Sequence, residues 1–289
     1  MQIKVGAGSI KEMSGFISEG ADEIYCGILG VSSHVHHAQN FGTVGEILAA
    51  IHLAKKAKKK FYFVANDSYD GAARATAEVI SFLVRSGIDG VVVKDLHLML
   101  RLKEKKIKTK YILSTLAGCL NIEAVRFYMD LGVRRVVLPV QTTPQEAAEV
   151  IRNKFGVETE IFLTSRQYCA NFNGVCSLNF GSEDPFNCYC QESMRAADGS
   201  AFLMPHMSMA EHMQDLYEYH RLGVTALKVG RSQALWLSRI ILKEALALTA
   251  MLKSGCSKDV FLRRAAVINS AFDKAHAALK DIVCQEGGS

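Results

Sequence analysis

Residues 60–93, KFYFVANDSYDGAARATAEVISFLVRSGIDGVVV, spell out a complete strand-helix-strand unit. Lys60 to Ala65 is a short run of aromatic and β-branched residues, the composition of a strand buried on both faces. Ala72 to Ser86 carries helical periodicity. Gly87 supplies the left-handed conformation that ends a helix, and the run from Ile88 to Val93 begins a second strand. A strand-helix-strand unit of this kind is the crossover that parallel strands require.

The same alternation extends in both directions. Apolar runs at residues 2–6, 22–27, 60–65, 88–93, 110–114, 134–139, 159–163 and 224–229 predict eight strands. Helical patterns fill several of the gaps, among them Val44 to Lys58, Ile122 to Leu131 and Pro144 to Lys154, and Leu222-Gly223-Val224 repeats the glycine exit before the last strand. Eight βα units in a chain of 289 residues predict an α/β fold, a closed (β/α)8 TIM-like barrel. The seventh and eighth strands stand about 60 residues apart, far beyond an ordinary βα connection. The excess predicts a cysteine-rich insertion over 164–223. Residues 232–253 and 258–280 read as two long C-terminal helices completing the outer ring. With four prolines and no Gly/Ser-rich linker, residues 1–289 are expected to form a single domain.

At 49% hydrophobic and 22% charged residues, composition excludes a disordered or collagen-like chain. No apolar run reaches the roughly 18 residues of a membrane span, and the opening MQIKVGAGSI lacks the apolar stretch of a signal peptide. A cytoplasmic protein is expected, in which eight cysteines are free or metal-bound thiols rather than a disulfide framework. The net charge of +5 permits an anionic partner without demanding one. The Lys-rich runs Lys55 to Lys60 and Lys103 to Lys110, and the pair Arg134-Arg135, all precede strands. They are expected on the bottom face of the barrel as a solvated basic surface, which leaves RNA binding weakly supported.

Catalytic groups of such barrels gather where strands end. That rule selects Cys26, His34, His36 and His37 after the second strand, Asn66 and Asp67 after the third, and Lys94 and Asp95 after the fourth. It also selects Ser114, Thr115 and Cys119 after the fifth, Gln141 after the sixth, and Lys228, Gly230 and Arg231 at the eighth. The insertion carries Cys169, Cys176, Cys188 and Cys190, half of the cysteines in the chain, in a C-x6-C and C-x-C arrangement among turn-forming residues. Such thiolates suit an iron–sulfur centre. Zinc and unligated thiols are the alternatives, although structural zinc sites use closer pairs.

Glu160-Ile161-Phe162-Leu163, followed by Cys169-Ala170-Asn171-Phe172-Asn173-Gly174-Val175-Cys176 and later by Asn187-Cys188-Tyr189-Cys190-Gln191 with Arg195, resembles the signature of the collagenase-like U-32 peptidase family. Gly223-Val224-Thr225-Ala226-Leu227-Lys228-Val229-Gly230-Arg231 is similar to its second recurrent block. The resemblance implies a barrel holding a [4Fe–4S] cluster. Cys169, Cys176, Cys188 and Cys190 are the expected ligands, with Cys26 and Cys119 as rivals to Cys188 for the fourth position. It further implies O2-independent hydroxylation, as in the paired proteins of anaerobic ubiquinone synthesis and in enzymes that hydroxylate tRNA or ribosomal RNA with prephenate as oxygen source. The peptidase label is older, and no G-x-S-x-G elbow or H-E-x-x-H helix occurs here. Three departures stand out. Thr164-Ser165-Arg166 replaces a His-Gly pair, Met194 stands where a C-x3-C would close the cluster, and Val229 replaces an acidic residue.

The expected activity is therefore iron–sulfur-dependent, O2-independent hydroxylation of a small or RNA-borne aromatic. Arg166 and Arg231, with Lys228, would hold an anionic group such as a carboxylate. His36, Asp67 and Lys228 are the candidate catalytic residues, His36 for proton transfer near neutral pH. Two other classes remain open: a noncatalytic iron–sulfur subunit paired with a paralogous barrel, and a U-32-type peptidase.

Overall fold

The computed structural model describes residues 1–33, 39–66, 71–163, 193–195, 197–203, 208–231 and 235–286. Eight parallel strands close on themselves in sequence order. They are β1 (Gln2–Gly6), β2 (Glu23–Cys26), β3 (Lys60–Ala65), β4 (Gly90–Val93), β5 (Lys110–Leu113), β6 (Val133–Val137), β7 (Glu158–Phe162) and β10 (Ala226–Val229). The two remaining strands, β8 (Ser193–Arg195) and β9 (Ala201–Leu203), form an antiparallel hairpin outside the barrel. Closure comes from β10, which pairs with β7 on one side and with β1 on the other, Gln2 opposite Ala226 through Val5 opposite Val229. All eight barrel strands lie where the apolar runs predict them, with ends displaced by at most two residues.

A helix follows each barrel strand: α1 (Ile10–Ser18), α2 (Val44–Lys56), α3 (Ala72–Ser86), α4 (Leu96–Glu104), α5 (Ile122–Asp130), α6 (Pro144–Ile151), α7 (Met209–Leu222) and α8 (Leu235–Lys253). The last helix, α9 (Lys258–Glu286), packs against α7 and α8. Because α7 is the seventh helix of the ring, the departure from the barrel pattern lies between Phe162 and Met209, and the end of the 164–223 segment is ordinary barrel. Helix starts follow local chemistry. Thr43 with Glu46, Thr143 with Glu146 and Ser208 with Glu211 each form a reciprocal capping box. At helix exits Gly87 and Gly223 take φ of 92° and 103°, as their positions in the sequence require. Lys58 and Lys106 adopt the same left-handed region at φ of 55° and 53°, a conformation their side chains do not announce.

Strand alternation sorts the interior into two shells. The outer shell packs strand residues such as Ile24, Phe61, Phe63 and Val91 against helix residues such as Met13, Ile47, Ile80 and Leu98. The inner shell contains Tyr25, Tyr62, Val64, Val92, Ile112 and Val137, with Phe162 against them. On the bottom face Lys59 and Lys60 pair with Asp22 and Asp89, Lys105 pairs with Glu78, and Lys55 and Lys103 donate to the carbonyls of Ser86 and Asp130. This is the solvated basic face expected there. Among the described residues no helix is long and apolar enough to cross a membrane.

Candidate active site at the barrel mouth

The lower half of the inner shell is ionic. Lys4, Glu23, Arg135 and Glu160 sit on strand positions that alternate with apolar ones, so pleating alone turns all four inward. Arg135 places Nη1 at 2.5 Å from Glu23 Oε2 and Nη2 at 2.9 Å from Glu23 Oε1, while Nε donates to Glu158 Oε2 at 2.7 Å. Its Nη1 also reaches Glu160 Oε2 at 3.2 Å. Lys4 Nζ donates to the same Glu160 oxygen at 2.7 Å and stands 4.6 Å from the centroid of the Tyr62 ring. Burial alone pushes the Glu160 carboxyl up, but Lys4, Lys228 and Arg135 together outweigh it and hold the group below the ordinary carboxylate range. The grouping of Arg135 with a solvated bottom face is thereby corrected. Arg134 is exposed, but Arg135, one residue on, faces the opposite side of the strand and is 2% exposed.

Above this network lies Lys228, the third residue of β10. Its Nζ sits 4.5 Å from the centroid of Tyr25 and 4.7 Å from that of Phe162. Lys228 is thus inside the barrel rather than on its rim, and only 6% exposed. The two buried carboxylates are already engaged by Lys4 and Arg135, and among the described residues none forms an ion pair with Lys228. Burial accordingly lowers its amine from the ordinary lysine value to about 8, with Glu160 opposing and Lys4 reinforcing the shift.

Arg231 crosses the mouth over β1. A Cβ built on Gly6 would fall 2.1 Å from Arg231 Cγ and 2.7 Å from Tyr25 Cζ, and one on Gly8 would fall 2.4 Å from Arg231 Nη2. Only glycine at both positions lets the guanidinium lie flat against the first strand and its exit. Arg231 Nη1 is buried without a hydrogen-bond partner. So are Asn66 Oδ1, at the end of β3, and Glu160 Oε1. Asn66 is fixed by donating from Nδ2 to Ser33 O at 3.1 Å, which leaves its carbonyl oxygen uncommitted.

Of the residues selected from sequence, Lys228 and Arg231 come together around the Tyr25 ring. His36, Asp67, Arg166, Cys169, Cys176, Cys188 and Cys190 lie outside the described residues, as do His34 and His37. Cys26 and Cys119 are buried in the shell between strands and helices. Burial pushes both thiols up, that of Cys119 to about 11. Asp95 caps α4, accepting from Leu98 N at 2.7 Å. Among the described residues no cluster of His, Cys, Asp and Glu is arranged to hold a metal ion. The chemistry of the donor set at Cys169, Cys176, Cys188 and Cys190, four thiols in one excursion from the end of β7, fits an iron–sulfur cluster. The ionic interior, by contrast, was not anticipated from sequence. Its signal was a charge at alternate positions of otherwise apolar strands.

A closed parallel (β/α)8 barrel is the form of a TIM-barrel protein, a class whose ligand sites lie at the C-terminal face. The chain belongs to peptidase family U32, whose profile matches residues 8–234. It is 27% identical over 192 residues to "tRNA hydroxylation protein P" of Escherichia coli (strain K12), covering 65% of this chain and 42% of that protein. To "Collagenase" of Porphyromonas gingivalis it is 29% identical over 127 residues, covering 44% of this chain and 30% of that one. The chain therefore spans less than half the length of these relatives. A solved putative dihydrodipicolinate synthetase from Pseudomonas aeruginosa shares the barrel at TM-score 0.52 and 12% identity, over 93% of this chain and 80% of its own.

Proposed function

We propose that this chain acts in O2-independent hydroxylation of an RNA-borne base, tRNA being the favoured substrate. The observation that carries the reading is the similarity to a tRNA hydroxylation protein over 65% of the chain. Cys169, Cys176 and Cys190, with Cys188 as fourth ligand, would hold a [4Fe–4S] cluster. When bound, such a cluster supplies electron transfer or, at an open iron, a Lewis acid. Arg231, Lys228 and Arg166 would orient the carboxylates of an oxygen donor such as prephenate, and His36 and Asp67 would move protons near the mouth. Burial supports the roles given to Lys228 and Arg231, because a cation removed from water binds an anion more strongly than one on the surface.

The test is anaerobic purification with iron and sulfide analysis, followed by nucleoside mass spectrometry of tRNA from cells lacking and regaining the protein. Single changes to Ala at Cys169, Cys176, Cys188 and Cys190 are expected to remove cofactor and the hydroxylated nucleoside together, while changes at Cys26 and Cys119 leave both. A colourless, iron-free anaerobic protein overturns the reading. A second reading rests on Thr164-Ser165-Arg166 standing where the His-Gly pair is expected: an iron–sulfur subunit that turns over only with a partner barrel. In that case the cluster is present but product forms only after the partner is added. Proteolysis that survives Cys169→Ala and Cys176→Ala would instead favour peptidase chemistry.

A further inference from the structure

We propose that the bottom face of the barrel, at the exits of α2 and α4, docks the phosphate backbone of a double-helical RNA arm. The inference rests on the RNA reading above for its choice of polyanion, and it gives the holding of that RNA to a surface remote from the mouth.

Three observations carry it. First, positive charge is concentrated there. Residues 55–60 hold five lysines and no acid, and residues 103–110 hold five lysines and one acid, Glu104, so these two segments carry +9 where the whole chain carries +5. The remainder of the chain is net negative, and the positive field emerges from this end. Second, the acids of the face do not use up its cations. Asp22, Asp89, Glu78 and Glu158 pair with Lys59, Lys60, Lys105 and Lys110. Lys56, Lys58, Lys106 and Lys108 are exposed, and among the described residues their side chains have no ion-pair or hydrogen-bond partner. Exposed Arg134, Arg152 and Lys154 continue the arc past α5 and α6. Third, two of the free lysines sit on strained backbone. At the α3 exit Gly87 N donates to Val84 O and Ile88 N to Leu83 O. The α2 exit repeats this with Lys58 N to Lys55 O and Lys59 N to Ala54 O, and the α4 exit with Lys106 N to Lys103 O and Ile107 N to Leu102 O. In this shared motif glycine is free of strain, whereas lysine at φ of 55° and 53° is not. The helix dipole does not account for these lysines, because Lys55 and Lys56 already meet it in the last turn of α2, as do Arg101 and Lys103 in that of α4. Strain kept in order to hold a charge at the surface points to something that the charge binds.

Spacing and composition select the partner. Helix α3 packs against both α2 and α4, so with roughly 10 Å between neighbouring helices the two exits stand on the order of 20 Å apart. Cations spread over that distance do not converge on a small anion, but they match the repeated charge of a polyanion. No large hydrophobic side chain is exposed in residues 55–60, 87–89 or 103–110. The face therefore has nothing to insert into a membrane and no aromatic ring on which an unpaired base could stack, which leaves the phosphates of a helical arm as the matching surface. Lysine meets a phosphate as a point charge and reads no sequence. The choice of base is left to the mouth, at the other end of the strands.

The experiment measures binding of the full chain to a fluorescently labelled, unmodified tRNA transcript by anisotropy over a series of salt concentrations, and it needs neither cluster nor turnover. The variant Lys56→Gln, Lys58→Gly, Lys106→Gly, Lys108→Gln removes four free cations and relieves both strained exits. Its urea midpoint is expected not to fall, while at about 0.1 M salt it binds tRNA roughly tenfold or more weakly, with a salt slope shallower by about 3. Lys56→Gln with Lys108→Gln, which leaves the exits untouched, should give about half of that change in slope. A control losing the same charge elsewhere on the ring, Lys11→Gln, Lys243→Gln, Arg264→Gln, Lys274→Gln, all exposed positions on α1, α8 and α9, is expected to bind within about twofold of the unaltered chain. No tRNA binding at low salt, equal affinity of the lysine variants and the unaltered chain, or equal weakening by the control overturns the proposal. Binding to phosphatidylserine vesicles without binding to tRNA also overturns it, in favour of a membrane. Nucleoside mass spectrometry keeps the two readings apart. A hydroxylated nucleoside that persists in cells lacking the protein overturns hydroxylation alone, and tRNA binding indifferent to these lysines overturns the docking face alone.

Discussion

Arg135 binds three carboxylates, two of them fully enclosed, from a strand whose other inner-shell residue is Val137. Removing it leaves Glu23 and Glu160 short of positive charge in a dry interior. Arg135→Met is therefore expected to destabilise the fold by about 3–5 kcal/mol in urea denaturation, and adding Glu23→Gln should recover part of that loss. An unchanged midpoint would mean that water reaches the carboxylates. Lys228 makes the opposite contribution. Its native value near 8 lies below its unfolded value of 10.5, so the unfolded chain binds more protons between those two pH values. Stability is expected to rise with pH across that window, and the burden below pH 8 is on the order of 3 kcal/mol. Denaturation of Lys228→Met at a series of pH values should show that rise flattened, while an equal slope in both proteins would place the titration elsewhere. Lys228 and Arg231 could be chosen from sequence because strand ends mark the mouth. Arg135 could not, because its neighbour Arg134 made the pair look like a surface feature, and only the parity of the strand separates one from the other.

At the scale of elements, β1 and its exit are shaped to be stepped over. Gly6→Ala would set a methyl group 2.1 Å from Arg231 Cγ and 2.5 Å from Cδ. It is expected to lower stability by about 1–3 kcal/mol and to turn Arg231 out of the mouth, a change visible as weaker protection of the β10 exit in hydrogen exchange. At α6, Thr143 accepts from Glu146 N and Glu146 returns bonds to Thr143. Thr143→Ala should cost about 1 kcal/mol, read as a lower urea midpoint with unchanged slope. The barrel strands and helices α2, α3, α5 and α6 were legible because two-residue and 3.6-residue periods differ sharply over runs of this length. The extent of the insertion was not. Met209 to Leu222 has a capping box at Ser208 and Glu211 like the other ring helices, but its mixed face and the cysteines before it obscured where the excursion ends. Asp95 likewise looked like a mouth acid because a helix cap and a catalytic carboxylate occupy the same sequence position in a βα loop.

For the molecule as a whole, α9 braces the ring from outside. Phe261 and Ala265 are fully buried, Phe261 packs on Tyr217 of α7, and Asn269 donates to Glu244 of α8. Deleting residues 254–289 is expected to lower stability by at least about 3 kcal/mol, because a buried aromatic is lost and Glu244 is left without that donor. Calorimetry checks this, and a melting temperature within experimental error of the full chain would show α9 to be dispensable. The barrel itself imposes an order of assembly. The first strand finds one neighbour within a few dozen residues, but its other neighbour ends at Val229. On the ribosome its open edge must wait for most of the chain to emerge, a late long-range closure of the kind that slows folding and invites chaperone binding. The Lys228 amine and the Arg231 guanidinium belong to that final seam, so an incompletely wound intermediate has not yet laid them against the first strand, and the mouth is assembled only in the step that seals the cylinder.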